Sequence, residues 1–397
     1  MIKRILDKLK IEFNYISSIF KFRGKELAIF DKFYPNTSYT WRTKEFNFLL
    51  TFFDTAVLFS ESNNYKGKRI KSDFIQDLKI LKNNHHEFNA SQRVKFLSRP
   101  TFTYNFKYKL VYFLFFEDAV RFFPFLNRTK TPFAFTLYPG GGFLIDNEAI
   151  DSKLKLICNS TICKGIFVNG KFVQKYLIEK LKVLESKITL VPGVPLYLNQ
   201  ETNEIKRHNE NFVVGFCARK YHDRGKDKGF DVFAQVALRL SDKANLKFVC
   251  IGDFTVEDLN EEEKEKTKIH FTGLLQGNQF IEQLNEFDVI ISPVKTGLNG
   301  GDFDGFPTAA VVEASIMGVT MVCSDPLNDN LYENGEEIII LKSHADDYLH
   351  VLEYLIENRE DCRKIGMKGR ARTLDLYDDA NTLLPKVQKI NFWLNEQ

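Results

Sequence analysis

Short apolar runs recur at regular intervals along the C-terminal half of the chain. Six of these runs are predicted strands: 212–217, 246–251, 269–271, 287–292, 319–323 and 338–341. Most are separated by amphipathic stretches, and one helix face is shared by Phe230, Phe233, Val236, Ala237 and Leu240. Strands that are apolar throughout and alternate with helices are typical of a parallel sheet covered on both faces. Such a sheet binds ligands at the carboxyl ends of its strands.

The N-terminal half carries the same kind of pattern with less regular spacing. Its six predicted strands are 27–30, 56–59, 110–116, 133–137, 165–168 and 188–191. A polar stretch, 198–211, separates the two halves and is typical of a linker. The pattern therefore predicts an α/β protein with two Rossmann-like, doubly wound domains that face a cleft. The predicted domains are 1–197 and 212–375, followed by a C-terminal helix, 376–397, that is able to pack back on the first domain.

Composition agrees with two hydrophobic cores and narrows the class of protein. The chain has 397 residues, 44% of them hydrophobic, which is enough for two domains of ordinary size. Its net charge of +3, from 55 basic and 52 acidic residues, does not indicate a nucleic-acid partner. The six cysteines are far apart and lack the spacing of zinc ligands. They are typical of a reducing compartment, so we expect a cytoplasmic protein without a metal site.

The first 25 residues are a separate feature of the chain. Apolar residues recur on one predicted helical face, and lysines and arginines enrich the other positions. One interpretation is a helix that lies on the anionic inner face of a membrane. The other interpretation is a helix that packs on its own domain. No run of 18 apolar residues and no small-residue cleavage site occurs, so the sequence predicts neither a membrane-spanning helix nor a signal peptide.

The most informative segment is 304–313, and its predicted helix start contains Gly305, Phe306, Pro307, Thr308 and Ala309. Proline suits the start of a helix, and Thr308 is able either to cap the first turn or to lie inside it. Backbone N–H groups at a helix start have no helical partners and suit a phosphate. Asp304 and Glu313 bracket the segment with carboxylates that accept hydrogen bonds from sugar or ribose hydroxyls. The segment therefore predicts a site for a ligand that carries both phosphates and hydroxyls.

A basic loop, 217–231, connects a predicted strand to the helix that begins near Phe230. Its positive side chains are Arg219, Lys220, Arg224, Lys226 and Lys228. They lie at the carboxyl end of a strand, where a pyrophosphate needs neutralising charge and where arginine offers a two-pronged contact. The alternative is a basic loop that is simply solvated.

Two segments of the N-terminal half are candidates for contact with an acceptor or a phosphate. Gly140, Gly141 and Gly142 follow the predicted strand 133–137, and consecutive glycines allow close approach of a ligand to the backbone. A flexible connector is the alternative for this loop. Arg42 either meets an acceptor or phosphate or pairs with Glu45 across a turn. The seven histidines show neither metal-ligand spacing nor the order of a hydrolase triad.

Together these motifs resemble the retaining glycosyltransferases of family 4, which have the two-domain GT-B fold. The resemblance covers about residues 212–345. It is carried by Gly215 to Arg219 after a strand, Lys228-Gly229-Phe230-Asp231, Ser292-Pro293, the carboxylates around Gly305-Phe306-Pro307, and Ser324-Asp325. The loop from Tyr138 to Phe143 is similar to the glycine loop of some members.

The resemblance implies a role for each residue of the donor site. Arg219 and Lys228 would bind the nucleotide diphosphate, and the loop from Gly305 to Ala309 would meet the donor through its amides. Asp304 would lie near the donor sugar, and Glu313 would hold the ribose hydroxyls. The chain departs from the family pattern because eight residues separate Asp304 from Glu313 where the family has seven. The interval from Arg219 to Lys228 is also longer than usual, so the place of the lysine is open to two other residues, Arg224 and Lys226.

The sequence thus predicts an enzyme that moves a sugar from a nucleotide-diphosphate sugar to a glycan or lipid-linked acceptor in cell-surface polysaccharide assembly. Retention at the anomeric carbon is implied by the resemblance alone. No cofactor and no metal is expected, because basic side chains are able to stabilise the leaving diphosphate. Two other functions stay open, because fold does not settle reaction. They are a nucleotide-sugar epimerase of the same fold and a non-catalytic protein that binds a glycan or a nucleotide.

Overall fold

The structure is a computed structural model and describes residues 26–35, 40–61, 63–64, 67–68, 71–84, 93–96, 108–197, 210–298 and 300–396. The predicted N-terminal amphipathic helix and most of the predicted linker lie outside the described residues. Contacts divide the chain into two compact units. Unit 1 consists of Met1–Phe143, Glu148–Val191 and Asp379–Gln397, and unit 2 consists of Leu144–Asn147 and Pro192–Asp378.

The chain forms alternating strands and helices in both units. The strands are β1 (Leu27–Asp31), β2 (Ala56–Ser60), β3 (Asn63–Asn64), β4 (Gly67–Lys68), β5 (Val94–Phe96), β6 (Leu110–Phe113), β7 (Phe133–Leu137), β8 (Cys163–Val168), β9 (Ile188–Leu190), β10 (Phe212–Cys217), β11 (Leu246–Ile251), β12 (Ile269–Gly273), β13 (Val289–Ser292), β14 (Thr320–Ser324) and β15 (Ile339–Leu341). The α-helices are α1 (Trp41–Phe52), α2 (Lys71–Asn84), α3 (Phe116–Thr129), α4 (Glu148–Cys158), α5 (Lys171–Lys175), α6 (Phe230–Arg239), α7 (Glu261–Lys266), α8 (Asn278–Asn285), α9 (Ala309–Ile316), α10 (Ala345–Glu357), α11 (Arg359–Leu376), α12 (Asp379–Thr382) and α13 (Leu384–Asn395). Shorter helical turns are the π-helix Tyr176–Lys180 and the 3-10 segments Glu185–Lys187, Asp223–Lys228 and Val256–Asp258.

Unit 1 is built on a seven-stranded parallel sheet with the strand order β5-β2-β1-β6-β7-β8-β9. All six predicted strands of this half are present. β5 was not predicted, because only Val94 in it is buried and its three residues give no periodic pattern. The direction in which strands are added reverses between β1 and β6, which makes this the switch point of the sheet.

Unit 2 is built on a six-stranded parallel sheet with the order β12-β11-β10-β13-β14-β15. Alternate residues of β10 enter two different cores: Val214 and Phe216 pack with α6, whereas Val213 packs with α9. The central strands β10, β13 and β14 are therefore buried on both faces, as their continuous apolar runs predict, whereas the edge strands β12 and β15 are only partly buried. The predicted face of α6 is confirmed, because all five of its apolar residues are buried. The switch point of this sheet lies between β10 and β13.

The units differ from the predicted domain limits in three places, the shortest of which is 376–378, predicted as the start of the C-terminal segment but part of unit 2. Residues 192–197 belong to unit 2, since Leu196 packs into one of its cores. The segment Leu144–Asn147 also belongs to unit 2, and the backbone N–H of Ile145 donates to the carbonyl of Gly301 at 2.8 Å.

The C-terminal helix α13 belongs to unit 1, where it packs against the sheet. Trp393 lies on Gly165 of β8, and a β-carbon at Gly165 would lie 2.2 Å from the indole ring. Lys386 is buried in the same helix and donates to Glu45 at 2.8 Å and to the Tyr138 hydroxyl at 2.9 Å. The ion pair joins α13 to α1, the helix that carries Arg42, and the hydrogen bond to Tyr138 joins α13 to the segment between β7 and the glycine loop.

Of the helices in the described part of the chain, none is both long enough and apolar enough to cross a membrane.

Candidate functional site

A cavity of about 190 Å³ lies at the carboxyl ends of β10 and β13 in unit 2. It is lined by Phe216, Cys217, Ala218, Arg219, Tyr221, Lys228, Ser292, Val294, Asp304, Thr308 and Ala310. These two strands are neighbours at the switch point, which is where open parallel sheets bind ligands. We call this cavity the switch-point cavity. It brings together four of the predicted site residues: Arg219, Lys228, Asp304 and Thr308.

Arg219 reaches the cavity because it follows β10 directly. Its Nε lies 3.5 Å from a carboxylate oxygen of Asp253, and the other oxygen of Asp253 accepts the backbone N–H of Lys220 at 2.6 Å. Asp253 therefore orients the loop that carries the arginine. Gly215, four residues earlier, has a packing role, since a β-carbon there would lie 2.1 Å from the ring of Phe287.

Lys228 and Asp304 form an ion pair at the cavity. The Lys228 Nζ donates to both carboxylate oxygens of Asp304 at 2.7 Å. Burial alone would lower the pKa of Lys228, but the charge and hydrogen bonds of Asp304 raise it above its ordinary value. The lysine is therefore a cation at neutral pH. The next residue, Gly229, has a φ of +75°, and a β-carbon there would lie 2.1 Å from the Pro293 carbonyl, so the turn that presents Lys228 requires glycine.

Helix α9 begins at the cavity, as the segment 304–313 predicts. Thr308 is its N-cap residue, and the Thr308 carbonyl accepts the N–H groups of Val311 and Val312 at 3.0 Å. Thr308 lines the cavity, and its buried hydroxyl has no hydrogen-bond partner among the residues that the structure describes. Phe306 packs against the core of unit 2 and so anchors the loop that precedes the helix. The helix start thus presents backbone N–H groups and a hydroxyl to one ligand position.

Glu313 lies one turn further along α9 and has an unusual environment. Burial raises the pKa of Glu313, and a hydrogen bond from Tyr197 lowers it. Burial has the larger effect, so the resulting pKa is about 8. Burial raises the pKa of Cys217 at the end of β10, and the negative charge of Glu313 raises it further, because the two side chains are close. Tyr197 was not predicted as a site residue, because it precedes the linker and no motif marks it.

The structure places the two alternative cations of the basic loop elsewhere. Arg224 and Lys226 line a second cavity, of about 250 Å³, together with Asp258 and Glu263. The Arg224 Nε donates to the carbonyl of Asp258 at 2.9 Å. Of the predicted alternatives, only Lys228 therefore shares the switch-point cavity with Arg219.

The glycine loop of unit 1 is a tight turn after β7. Gly140, Gly141 and Gly142 have φ values of +78°, +55° and +84°. The carbonyl of Gly141 accepts the N–H of Glu117 at 3.1 Å, so the loop is fixed to the start of α3. A β-carbon at Gly140 would meet no atom within 4 Å, whereas one at Gly141 would lie 2.4 Å from Phe115. Packing therefore explains Gly141 but not Gly140.

The predicted alternative of an Arg42–Glu45 pair is wrong. Arg42 lies 3.6 Å from the carboxylate of Asp31 and stacks over the ring of Phe115 at 4.7 Å. Glu45 is on the buried face of α1, where it accepts hydrogen bonds from Tyr112 and from Lys386. Arg42 therefore pairs with Asp31 at the end of β1, and Glu45 pairs with Lys386 of α13.

Three charged residues at the switch point of unit 1 were not predicted. Asp31 ends β1, Lys32 follows it, and Asp118 lies in the first turn of α3 after β6. The Lys32 Nζ lies 2.6 Å from Glu117 and 3.6 Å from Asp118. Burial raises the pKa of Asp118 to about 7, although Lys32 lowers it. Their position directly after two strands was the signal that could have identified them.

Comparisons with known proteins agree with this fold. Residues 233–383 match the family described as glycosyl transferase-like. No curated protein sequence matches the chain. Solved structures with a similar fold exist, and the three described next have 12–14% sequence identity to this chain.

Three of these structures cover nearly the whole chain. A glycosyltransferase from Rickettsia africae has a TM-score of 0.67 at 14% identity, covering 94% of this chain and 100% of its own. Anabaena HepE, in complex with UDP and glucose, has a TM-score of 0.65 at 13% identity, with the same coverage. Sucrose-phosphate synthase from Thermosynechococcus elongatus has a TM-score of 0.63 at 12% identity, again with 94% and 100% covered.

The fold of these structures is the GT-B fold, with two sheets of parallel strands flanked by helices. The predicted fold class is therefore confirmed. This chain has the GT-B fold, and its residues 233–383 match a glycosyl transferase-like family model.

Proposed function

We propose that the protein is a glycosyltransferase that takes its sugar from a nucleoside diphosphate sugar. One observation carries this proposal: an arginine, a lysine and a helix start share a single cavity at the switch point of the C-terminal sheet. The family match at 233–383 supports it, because that range includes Asp304 and all of α9. A uridine nucleotide is the first donor to test, since the structure of HepE was solved with UDP and glucose.

In the proposed complex the diphosphate occupies the switch-point cavity. Arg219 offers two N–H groups in one plane to a phosphate, and Lys228 offers a cation at 12% side-chain exposure. The first N–H groups of α9 and the Thr308 hydroxyl complete a site for phosphate oxygens. In the absence of donor, Asp304 neutralises Lys228, so the donor phosphate would share or replace this contact.

The reaction breaks the bond between the anomeric carbon and the oxygen of the β-phosphate. Negative charge then grows on the diphosphate, where Arg219, Lys228 and the helix N–H groups stabilise it. The acceptor oxygen forms the new bond to the anomeric carbon, and its proton passes to the departing phosphate. Because these cations supply the stabilising charge, we propose that the transfer itself needs no metal. Asp304 lies beside Lys228 and is placed to contact the donor sugar.

Several finer assignments, which rest on the resemblance to family 4, on the cysteines and on the N-terminal segment, form part of the proposal. They are retention at the anomeric carbon, a glycan or lipid-linked acceptor, cell-surface polysaccharide assembly and a cytoplasmic location at the inner face of the membrane. The acceptor side would involve unit 1, where Gly140 and Arg42 lie at the carboxyl ends of strands. The membrane contact would use residues 1–25, which lie outside the described residues.

Assays of the full chain with a panel of nucleotide sugars test the proposal. We expect one donor to raise the melting temperature, because a ligand that binds only the folded state stabilises it. With that donor and a mixture of aryl glycosides and polyprenyl-diphosphate saccharides, we expect release of nucleoside diphosphate together with a product heavier by one sugar. NMR of the product then gives the anomeric configuration.

The two other candidate functions give different results in the same assays. An epimerase would convert the donor into a sugar isomer without any acceptor. A binding protein would show the thermal shift without releasing nucleoside diphosphate under any condition. Either result would contradict the proposed transfer.

Donor affinity should depend on pH through Glu313. Its pKa of about 8 lies above the ordinary 4.5, so the free protein holds this carboxyl largely protonated at pH 7. A ribose diol donates two hydrogen bonds, which only the ionised carboxylate accepts fully. Donor binding should therefore release a proton. Affinity should rise with pH, by a factor approaching about tenfold per pH unit below the pKa.

Calorimetric titration with UDP between pH 6.0 and pH 8.5 measures this dependence. Titrations in buffers of different ionisation enthalpy count the released proton. Glu313→Gln is the matched control, because it keeps the shape of the side chain and cannot ionise. If Glu313→Gln shows the same slope as the natural chain, Glu313 is not the ionising group.

A further inference from the structure

We propose that His222, Asp227 and Asp302 form a binding site for a divalent transition-metal cation beside the switch-point cavity. One ring nitrogen of His222 and one oxygen of each carboxylate all lie within 4.8 Å of one another. The His222 Nε2 is 3.3 Å from an oxygen of Asp302. His222 and Asp227 both lie in the basic loop, whereas Asp302 comes from a distant part of the sequence, which is why spacing along the chain did not reveal the cluster.

The carboxylate of Asp227 provides an independent indication of a ligand. Asp227 is only 4% exposed, and its Oδ1 has no hydrogen-bond partner among the described residues. Its Oδ2 lies 3.5 Å from the Nζ of Lys228. A buried carboxylate oxygen without a hydrogen bond is costly and needs an explanation. A bound cation would supply the missing partner.

The types of ligand favour Mn²⁺ or Zn²⁺ over Mg²⁺ or Ca²⁺. One imidazole nitrogen and two carboxylates suit transition metals, whereas Mg²⁺ and Ca²⁺ prefer oxygen ligands alone. The two carboxylates match the charge of a divalent ion. The Nζ of Lys228 opposes the charge of a cation from 3.5 Å beyond Asp227, and it is already neutralised by Asp304 at 2.7 Å.

The position of this cluster links it to the switch-point cavity. His222 follows Tyr221, Asp227 precedes Lys228, and Asp302 lies two residues before Asp304. Tyr221, Lys228 and Asp304 all line the cavity. A cation on the three ligands would therefore fasten the basic loop to the segment before α9. In this role the cation orders the walls of the cavity and takes no part in bond breaking, so the site is independent of the proposed transfer.

Metal binding to the full chain tests this proposal without any assay of activity. The protein is treated with EDTA, dialysed and titrated with MnCl₂, and free Mn²⁺ is counted by electron paramagnetic resonance. We expect one Mn²⁺ per chain and a rise in melting temperature with MnCl₂ or ZnCl₂ that exceeds the rise with MgCl₂.

Two variants remove ligands, and a third is the matched control. His222→Ala and Asp302→Asn should each weaken Mn²⁺ binding at least tenfold and abolish the thermal shift. Asp223→Asn, which removes an exposed acid next to His222, should bind Mn²⁺ like the natural chain. Melting curves in EDTA identify any variant that fails to fold. If one ligand variant fails to fold, Mn²⁺ binding by the other ligand variant tests the proposal. Absence of stoichiometric binding, or equal binding by all four proteins, would overturn the proposal.

Discussion

Replacing Arg219 with alanine should lower kcat/KM for the donor by about 10² to 10³, because it removes a charged donor that contacts the leaving diphosphate. Lys228→Ala should have an effect of similar size. The loss should appear in kcat as well as in KM, since charge on the diphosphate grows as the sugar leaves. Initial rates of nucleoside diphosphate release, measured over a range of donor concentrations, separate the two parameters.

The basic loop itself offers matched controls for both substitutions. Arg224→Ala and Lys226→Ala remove the same charges from the same loop, but these side chains line the second cavity. We expect each control to change kcat/KM by less than about tenfold, a loss of under about 1.4 kcal/mol in transition-state stabilisation. If Arg219→Ala turned over saturating donor at the natural rate while Arg224→Ala did not, the diphosphate would belong in the second cavity.

Lys386→Met should destabilise unit 1 by about 3–5 kcal/mol, because it leaves the carboxylate of Glu45 buried without its cation. Lys386 is 1% exposed and Glu45 is 0% exposed, so water cannot replace the lost partner. The Tyr138 hydroxyl loses the Lys386 contact as well, and Tyr138 immediately precedes Pro139 and the glycine loop. Urea unfolding followed by tryptophan fluorescence is the appropriate measurement, since both tryptophans of the chain, Trp41 and Trp393, lie in unit 1.

Two further variants separate the ion pair from general effects of the substitution. Lys389→Met changes an exposed lysine of the same helix and should alter the free energy of unfolding by less than about 0.5 kcal/mol. The double variant Lys386→Met with Glu45→Gln removes the buried charge and should recover part of the loss. Equal stability of Lys386→Met and Lys389→Met would contradict the proposed role of the pair.

The strands and the donor-side motif were predictable from the sequence because their signals are local. Buried parallel strands appear as continuous apolar runs. The start of α9 is marked by Pro307 and Thr308, which directly precede its first residue, Ala309. Arg219 and Lys228 follow from their position after a strand and before a helix. The choice between Lys228 and its alternatives was open, because it depends on how the turn at Gly229 directs each side chain.

What the sequence could not reveal are contacts between residues far apart in the chain. Glu45 and Lys386 are 341 positions apart, and nothing near either residue indicates the other. The same is true of Tyr197 with Glu313, and of Asp302 with the other two members of its cluster, His222 and Asp227. The partner of Arg42 was uncertain for a related reason. Whether Arg42 pairs with Asp31 at the end of β1 or with Glu45 depends on how α1 packs in unit 1.

A crystal structure of the full chain with bound UDP is the most direct test of the central claim. The account predicts that the diphosphate lies in the switch-point cavity, within hydrogen-bond distance of Arg219, Lys228 and the first N–H groups of α9. A diphosphate bound beside Arg224 and Lys226, or anywhere else on the molecule, would contradict it.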